Sequence, residues 1–195
     1  MSVSRIDFVR AIVACDPNNV PAMIEMGWLY ELEQHDFDAA IGCINRGIAQ
    51  CPGAPDAYFW LAKLYYHDGA QFEEAKGALE TALRCDPRHV PSLSLLASVL
   101  SDLHQTGEAI SLLEKAVEIE PSWVLLHAKL DHVYTRMDDM ESAIRSARRA
   151  LRLAEQFHAV STAETYSYYE SAVTGRWVND QDIMDELKRR AARTP

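Results

Sequence analysis

The sequence lacks any long apolar run. No stretch approaches the roughly 18 apolar residues that a membrane-spanning helix needs, and the mean hydropathy is −0.19. Residues 1–7 show no basic start followed by an apolar core, so they do not resemble a secretory signal. We therefore expect a cytoplasmic protein that does not insert into membranes.

Cysteine is scarce and shows no paired spacing. The four cysteines form no CxxC motif, and no histidine stands at ligand spacing from them, which argues against a zinc site or a redox motif. Cys15, Cys51 and Cys85 each come just before a proline. We predict that they are small buried hydrophobes. We expect no metal and no cofactor.

Catalytic motifs are also missing. GxSxG, the phosphate-binding loop, GxGxxG and HExxH do not occur. The seven histidines are scattered, and His127 and His132 are five residues apart rather than the four that place two ligands on one helix face. Because a catalytic site needs a nucleophile or an acid–base pair held in a pocket, we predict that the chain is not an enzyme.

Positive charge is in short supply. The net charge is −10, which disfavours binding to nucleic acid because phosphate backbones would be repelled. The exception is a stripe of arginines at helical spacing, for which a solvated face is the ordinary interpretation and a docking patch the alternative. The stripe consists of Arg145, Arg148, Arg149 and Arg152.

The chain does contain a repeat. Pro17, Pro52, Pro87 and Pro121 are separated by 35, 35 and 34 residues. Small residues recur at fixed distances before the last three prolines: Ala40, Ala75 and Ala109, then Gly47, Ala82 and Ala116. A period of this length indicates stacked supersecondary units.

Each unit contains two helical patterns. The first helices are predicted at about 21–34, 55–68, 91–104 and 124–137, and the second helices at about 37–50, 72–85, 107–119 and 140–156. The prolines that close each unit stop the second helix. Small residues mark the points where antiparallel helices cross closely. The first two units carry one extra residue, around Gln34 and Ala70.

These units resemble the tetratricopeptide repeat. Residues 26–30 with 36–41 carry the signature, as do 61–65 with 72–75 and 82–87, then 96–97 with 107–110, and finally Leu130 with 138–144. The resemblance implies a right-handed α-solenoid of antiparallel helix pairs forming a single domain. Its parts are a half repeat at 1–19, repeats at 20–53, 54–88, 89–122 and 123–157, and a divergent fifth repeat or cap at 158–195.

The final segment is predicted to cap the array. Residues 161–164 read as a capping box, and Tyr166, Tyr169, Val173 and Trp177 form an apolar stripe. A cap would cover the last apolar face of the solenoid.

The resemblance also implies a binding groove. In this family the first helices line the concave face and bind another protein, as a peptide or a helix. The positions that correspond to ligand contacts are Ile24, Glu25, Trp28, Glu31, Phe59, Trp60, Lys63, Tyr66, His67, Ser94, Ser98, Ser101, Asp102, Lys129, His132 and Arg136. We predict Trp28, Phe59 and Tyr66 as aromatic anchors, with Lys129 and Arg136 as an exposed basic end. For Trp60, burial between neighbouring first helices is an equal alternative.

The pattern favours some functions over others. Family members that grip a chaperone's C-terminal carboxylate carry a Lys and an Asn where this chain has Ile24 and Trp28, so we do not expect that activity. The favoured function is a protein-interaction scaffold or adaptor. The alternatives are a dedicated secretion-type chaperone and an accessory repeat domain of a larger enzyme or assembly. The sequence leaves the partner and the oligomeric state open.

One residue departs from the repeat. The position of Gly27, Ala62 and Ala97 is taken by Asp131 in the fourth unit. A carboxylate facing the second helix would be costly if unpaired. We predict that Asp131 is buried and interacts with His127, one turn earlier, while a splayed and solvated fourth unit is the alternative.

Overall fold

The chain folds into helices. A computed structural model describes residues 4–67, 69, 71–158, 188–189 and 191–192, and the elements in these residues are all helical. The predicted all-α fold is confirmed, with helix bounds within two residues of those expected when the π-helical turn Tyr30–Gln34 is counted as the end of the first predicted helix. The helices are α1 Arg5–Cys15, α2 Val20–Leu29, α3 Phe37–Gln50, α4 Pro55–His67, α5 Phe72–Cys85, α6 Val90–Asp102, α7 Thr106–Ile119, α8 Val124–Arg136 and α9 Met140–His158.

The helices form two compact units, Met1–Ser92 and Leu93–Pro195, called here the N-terminal and C-terminal units. The division falls within α6. In the N-terminal unit, α2 packs against α1 and α3, and α4 packs against α3 and α5. In the C-terminal unit, α8 packs against α7 and α9. Within each unit, the sequential helices named here are therefore neighbours in space, as in antiparallel helix pairs.

Side-chain caps begin several helices. Asn19 Oδ1 accepts a hydrogen bond from Ala22 N at the start of α2, and Asp36 Oδ1 accepts one from Ala39 N at the start of α3. Asp139 Oδ1 accepts one from Ser142 N at the start of α9. Each cap satisfies a backbone N–H that the helix itself leaves unpaired.

The half-repeat helix α1 and the second helices α3, α5 and α7 end in the same way. The residue just after each has a φ between −139° and −131° and a ψ between 74° and 102°, outside the helical region, and its N–H bonds to the carbonyl four residues earlier. A proline follows within one residue of each, as the repeat pattern predicted. Because the residue before a proline avoids the helical region, the prolines fix these helix ends.

The first helices end on left-handed residues. His35, Gly69, His104 and Asp138 have φ values of 52°, 71°, 61° and 60°. After α6 and α8 the closing hydrogen bond spans five residues, for example Gln105 N to Leu100 O at 2.8 Å. After α2 it spans six, from Asp36 N to Tyr30 O at 3.2 Å. The extra residue predicted around Gln34 is taken up by a π-helical turn, Tyr30–Gln34.

Small residues lie where the helices cross. The repeated alanines of all four pairs are 0–1% exposed, among them Ala40, Ala75, Ala109 and Ala143. Gly27 marks a closer approach, because a Cβ atom there would lie 2.9 Å from both the Ala40 carbonyl oxygen and Ile44 Cγ1. The predicted role of these positions in helix packing is confirmed.

The fourth pair accommodates a carboxylate at that position. Asp131 is 1% exposed, so its predicted burial is confirmed. The facing helix α9 is lined by small residues, including Ala147 and Ala150, at 0% exposure. His127 Nε2 lies 3.0 Å from the Pro121 carbonyl oxygen. Burial lowers the pKa of His127, whereas this hydrogen bond raises it; the effect of burial is the larger. The Asp131–His127 interaction remains a prediction.

The cysteine prediction is wrong for the residues it named. Cys15, Cys51 and Cys85 are exposed, whereas Cys43 is buried within α3. The first three lie at or just after the last turn of a second helix, where the chain leaves the helix and its side chains leave the core. The predicted C-terminal cap lies outside the described residues, as do its four stripe residues and the capping box.

Candidate functional site

Two tryptophans meet on the first helices of the N-terminal unit. Trp28 lies on α2 and Trp60 on α4, and their ring centroids are 5.2 Å apart at an interplanar angle of 54°. Both side chains are half-buried. A tilted aromatic contact at this distance is favourable beyond the area it buries. Trp60 therefore packs against a neighbouring first helix, and both tryptophans also stay partly exposed. We call this pair the tryptophan surface.

Lys63 lies within the same surface. Its Nζ is 4.2 Å from the Trp28 ring centroid and 4.5 Å from the Trp60 centroid, and the residue is 8% exposed. Burial lowers the pKa of Lys63 to about 8, while the negative charge of Glu31 opposes the shift. The ring faces stabilise the ammonium in place of water. The sequence counted Lys63 as a groove residue, but it is mostly enclosed by its neighbours.

The π-helical turn carries Glu31 to the edge of the tryptophan surface. Its Oε1 lies 3.5 Å from His67 Nδ1, and its side chain is 13% exposed. The other carboxylate oxygen, Oε2, is buried without a hydrogen-bond partner in the described part of the chain. A buried acceptor without a donor is costly, so this oxygen favours a ligand or a water molecule that can donate to it.

Phe59 does not act as an exposed anchor. It is 8% exposed, and its ring lies 5.6 Å from that of Trp60 and 6.0 Å from that of His89. His89 in turn contacts Ser92 Oγ at 2.7 Å and Asp56 Oδ1 at 3.2 Å. The prediction for Phe59 is wrong because the segment after α5 places His89 against its ring. Sequence reasoning missed His89, which no motif marks.

The remaining N-terminal positions lie around this surface. Glu25 pairs with Arg5 of α1, with 2.8 Å between Oε1 and Nη2. Tyr66 is half-buried, with its ring 5.9 Å from that of Phe72. Ile24 is also half-buried. Glu25 is therefore paired with a residue of α1, whereas Tyr66 stays partly at the surface.

Lys129 is a buried residue of the C-terminal unit. It is 7% exposed, and its Nζ donates to the Ser94 carbonyl at 3.0 Å and to Ser98 Oγ at 2.9 Å. Burial lowers the pKa of Lys129 to about 7, although Asp102 acts in the opposite direction. The expectation that Lys129 is an exposed cation is wrong, because the serines of α6 leave room for its side chain to enter the helix interface.

Arg136 is held by the end of α6. Its Nη1 donates to Ser101 Oγ at 3.1 Å and to Asp102 Oδ1 at 3.3 Å. Arg136 remains partly exposed, and His132 on the same helix is exposed. Helix packing thus brings the C-terminal positions together, and Lys129 and Arg136 both donate to residues of α6.

Two family profiles match the chain. One is described as anaphase-promoting complex, cyclosome, subunit 3, and matches residues 33–116. The other is described as tetratricopeptide repeat and matches residues 126–157. Together with the helix pairs, these matches define an all-α helical repeat protein. The chain belongs to the tetratricopeptide repeat family.

This chain matches parts of longer curated relatives. Tetratricopeptide repeat protein 17 of Danio rerio is 30% identical over 50% of this chain and 8% of its own length. Superkiller protein 3 of Schizosaccharomyces pombe is 24% identical over 72% of this chain and 11% of its own length. The chain therefore corresponds to a small fraction of the relatives it matches.

Solved structures share the fold. TTC0263, described as a thermophilic TPR protein in Thermus thermophilus, superposes with a TM-score of 0.68 at 18% identity, covering 86% of this chain and 88% of its own. MamA superposes with a TM-score of 0.65 at 17% identity, covering 82% and 99%. Identities this low support the shared fold only. None of the described helices is both long and apolar enough to cross a membrane.

Proposed function

We propose that this chain is a protein-interaction scaffold or adaptor whose tryptophan surface anchors a segment of a partner protein. The observation that carries the proposal is the half-buried pair Trp28 and Trp60 beside a buried Glu31 oxygen that has no donor among the described residues. Aromatic residues with part of the ring exposed are typical anchors of protein interfaces. The half-exposed Tyr66 extends the surface along α4.

Relatives support the general class. The wheat Hsp70-Hsp90 organizing protein is 28% identical over 43% of this chain. The first TPR of Spaghetti (RPAP3), solved with an HSP90 peptide, superposes with a TM-score of 0.57 at 21% identity, covering 63% of this chain and 96% of its own. We do not propose that ligand here, because Ile24 and Trp28 stand where the carboxylate-gripping residues of such proteins would be.

Further parts of the proposal come from the sequence. We expect no catalysis, no nucleic-acid ligand and a cytoplasmic location. The concave groove of the family would place the partner along the first helices. Within the N-terminal unit this direction runs over Trp28, Trp60 and Tyr66.

Binding measurements on variants test the proposal. After a partner has been captured by pull-down with the full chain, Trp28→Ala and Tyr66→Ala are each expected to weaken its binding by about 2 kcal/mol, or some thirtyfold. Trp28→Phe should recover part of the loss because it keeps a ring against Trp60. Lys115→Ala, an exposed change on α7, should bind normally. If Trp28→Ala melts like the wild-type chain and binds equally well, the partner uses another surface.

A further inference from the structure

The arginine stripe of α9 is divided by the structure. Arg145, Arg148 and Arg152 line a cleft of about 230 Å³ together with Glu141 and Ile144. The spacings of three and four residues place these side chains on one face of the helix. Arg149, which belongs to the same stripe in the sequence, is not among the residues that line the cleft. Burial lowers the pKa of His127 on α8, and the charge of Arg149 acts in the same direction.

The cleft carries an excess of positive charge. Among the described residues that line it, three guanidinium groups face one carboxylate, in a chain whose net charge is −10. Arg145 Nη2 lies 2.8 Å from Glu141 Oε1, but both side chains are more than 70% exposed, so the pair is weak. Arg148 and Arg152 are four residues apart, a spacing at which like charges repel each other. Arg152 has no ion pair with any residue that the structure describes.

Within the described part of the chain, few of the guanidinium donors are used. Arg145 uses one to reach Glu141, and Arg148 Nε donates to the Ala191 carbonyl at 3.2 Å. Each guanidinium has five N–H groups in a planar fork that matches a carboxylate or a phosphate. Ile144, which is 4% exposed, gives the cleft an apolar side.

Size and spacing indicate the ligand. The cleft is smaller than the pockets that hold drug-sized molecules, which begin at about 300 Å³. Arg145 and Arg152 are seven residues apart, or about 10 Å along the helix axis. Successive carboxylates of an acidic segment can each bind one of these guanidinium groups where it stands, whereas a single small anion would have to draw the two like charges together. We propose that this arginine cleft is a second docking site, which takes an acidic peptide segment of a protein partner and is separate from the tryptophan surface.

The experiment compares arginines inside and outside the cleft. A fluorescent oligoglutamate peptide is titrated with the full chain at low ionic strength, where screening is weak. Arg145→Gln and Arg152→Gln are each expected to weaken binding about two- to fivefold. Arg149→Gln removes the same charge from the same helix and is expected to weaken binding clearly less than either cleft variant, because it acts only at long range. Circular dichroism melting confirms that the variants are folded.

Three results would overturn the proposal. Equal losses in all three variants would mean that diffuse charge, not the cleft, attracts the peptide. A wild-type chain that does not bind oligoglutamate has no such site. Displacement of the peptide by inorganic phosphate at equal concentration would assign the cleft to isolated anions. Normal peptide binding by Trp28→Ala would show that this site is independent of the proposed function.

Discussion

Gly27 provides a test in which sequence and structure make opposite predictions. The equivalent positions of the next two repeats hold Ala62 and Ala97, so the repeat pattern alone would predict that Gly27→Ala is stabilising. Replacing a helical glycine by alanine usually contributes about 1 kcal/mol. In the structure, however, the new Cβ would lie 2.9 Å from the Ala40 carbonyl oxygen and 2.9 Å from Ile44 Cγ1.

Neither neighbour can move freely. The carbonyl belongs to the backbone of α3, and Ile44 is 0% exposed. Restoring contacts of about 3.5 Å would require α2 and α3 to separate by roughly half an ångström. Overpacking of this kind costs about 1–3 kcal/mol, and at a backbone contact the upper part of that range applies. After subtraction of the helix-propensity gain, Gly27→Ala should lose about 1–2 kcal/mol of stability.

Gly47 is the matched control. It is also buried, on α3, but its added Cβ would lie 3.5 Å from Val20 Cγ1 and 3.7 Å from Met23 Cβ, which are ordinary contacts. Gly47→Ala should therefore be neutral or stabilising by up to about 1 kcal/mol. Thermal melting by circular dichroism should separate the two variants by roughly 2–12 °C. Equal melting temperatures, or a more stable Gly27→Ala, would refute the close approach of α2 and α3.

Two further predictions concern a buried lysine and a turn. Burial lowers the pKa of Lys129 to about 7 in the folded chain, against 10.5 for an unperturbed lysine. Between pH 7 and 10.5 the unfolded chain therefore binds more protons than the folded chain. The free energy of unfolding should rise with pH over this range. Urea denaturation should show this rise, of the order of 4 kcal/mol, in the wild-type chain but not in Lys129→Met. If the free energies of unfolding of the two chains change with pH in parallel, the ammonium is not buried. Gly69 has a φ of 71°, so Gly69→Ala should lower the stability of the chain by about 1 kcal/mol. Gly77 lies within α5 with open space around it, so Gly77→Ala should raise the stability by about 1 kcal/mol. A stabilised Gly69→Ala would contradict the left-handed turn.

The repeat made the fold predictable. Prolines at near-constant spacing determine where second helices end, and the alanines between them determine where helices cross, because both effects act within one helix pair. The helix bounds could therefore be read from the sequence to within two residues. The extra residue near Gln34 could be located as well, but its conformation, a π-helical turn that carries Glu31, depends on the hydrogen bonds that close the turn.

The candidate site was predictable only as a set of positions. Trp28, Trp60 and Lys63 lie on the helices where the family resemblance placed them, and their contact within one surface is a result of the structure. Phe59 and Trp28 were both predicted as aromatic anchors. Phe59 is enclosed by His89, however, whereas Trp28 is half-exposed. Exposure depends on neighbours from distant parts of the chain, which a single sequence does not specify.

The sequence by itself determined the helices, their pairing and the family, because helix periodicity, caps and prolines act over a few residues. The tertiary structure decided which charges are available. Lys129 and Arg152 are both basic residues on helices, but the serines of α6 enclose the first, whereas the second lines an open cleft. Burial and charge pairing arise from contacts between helices, and these contacts exist only once the repeats have packed.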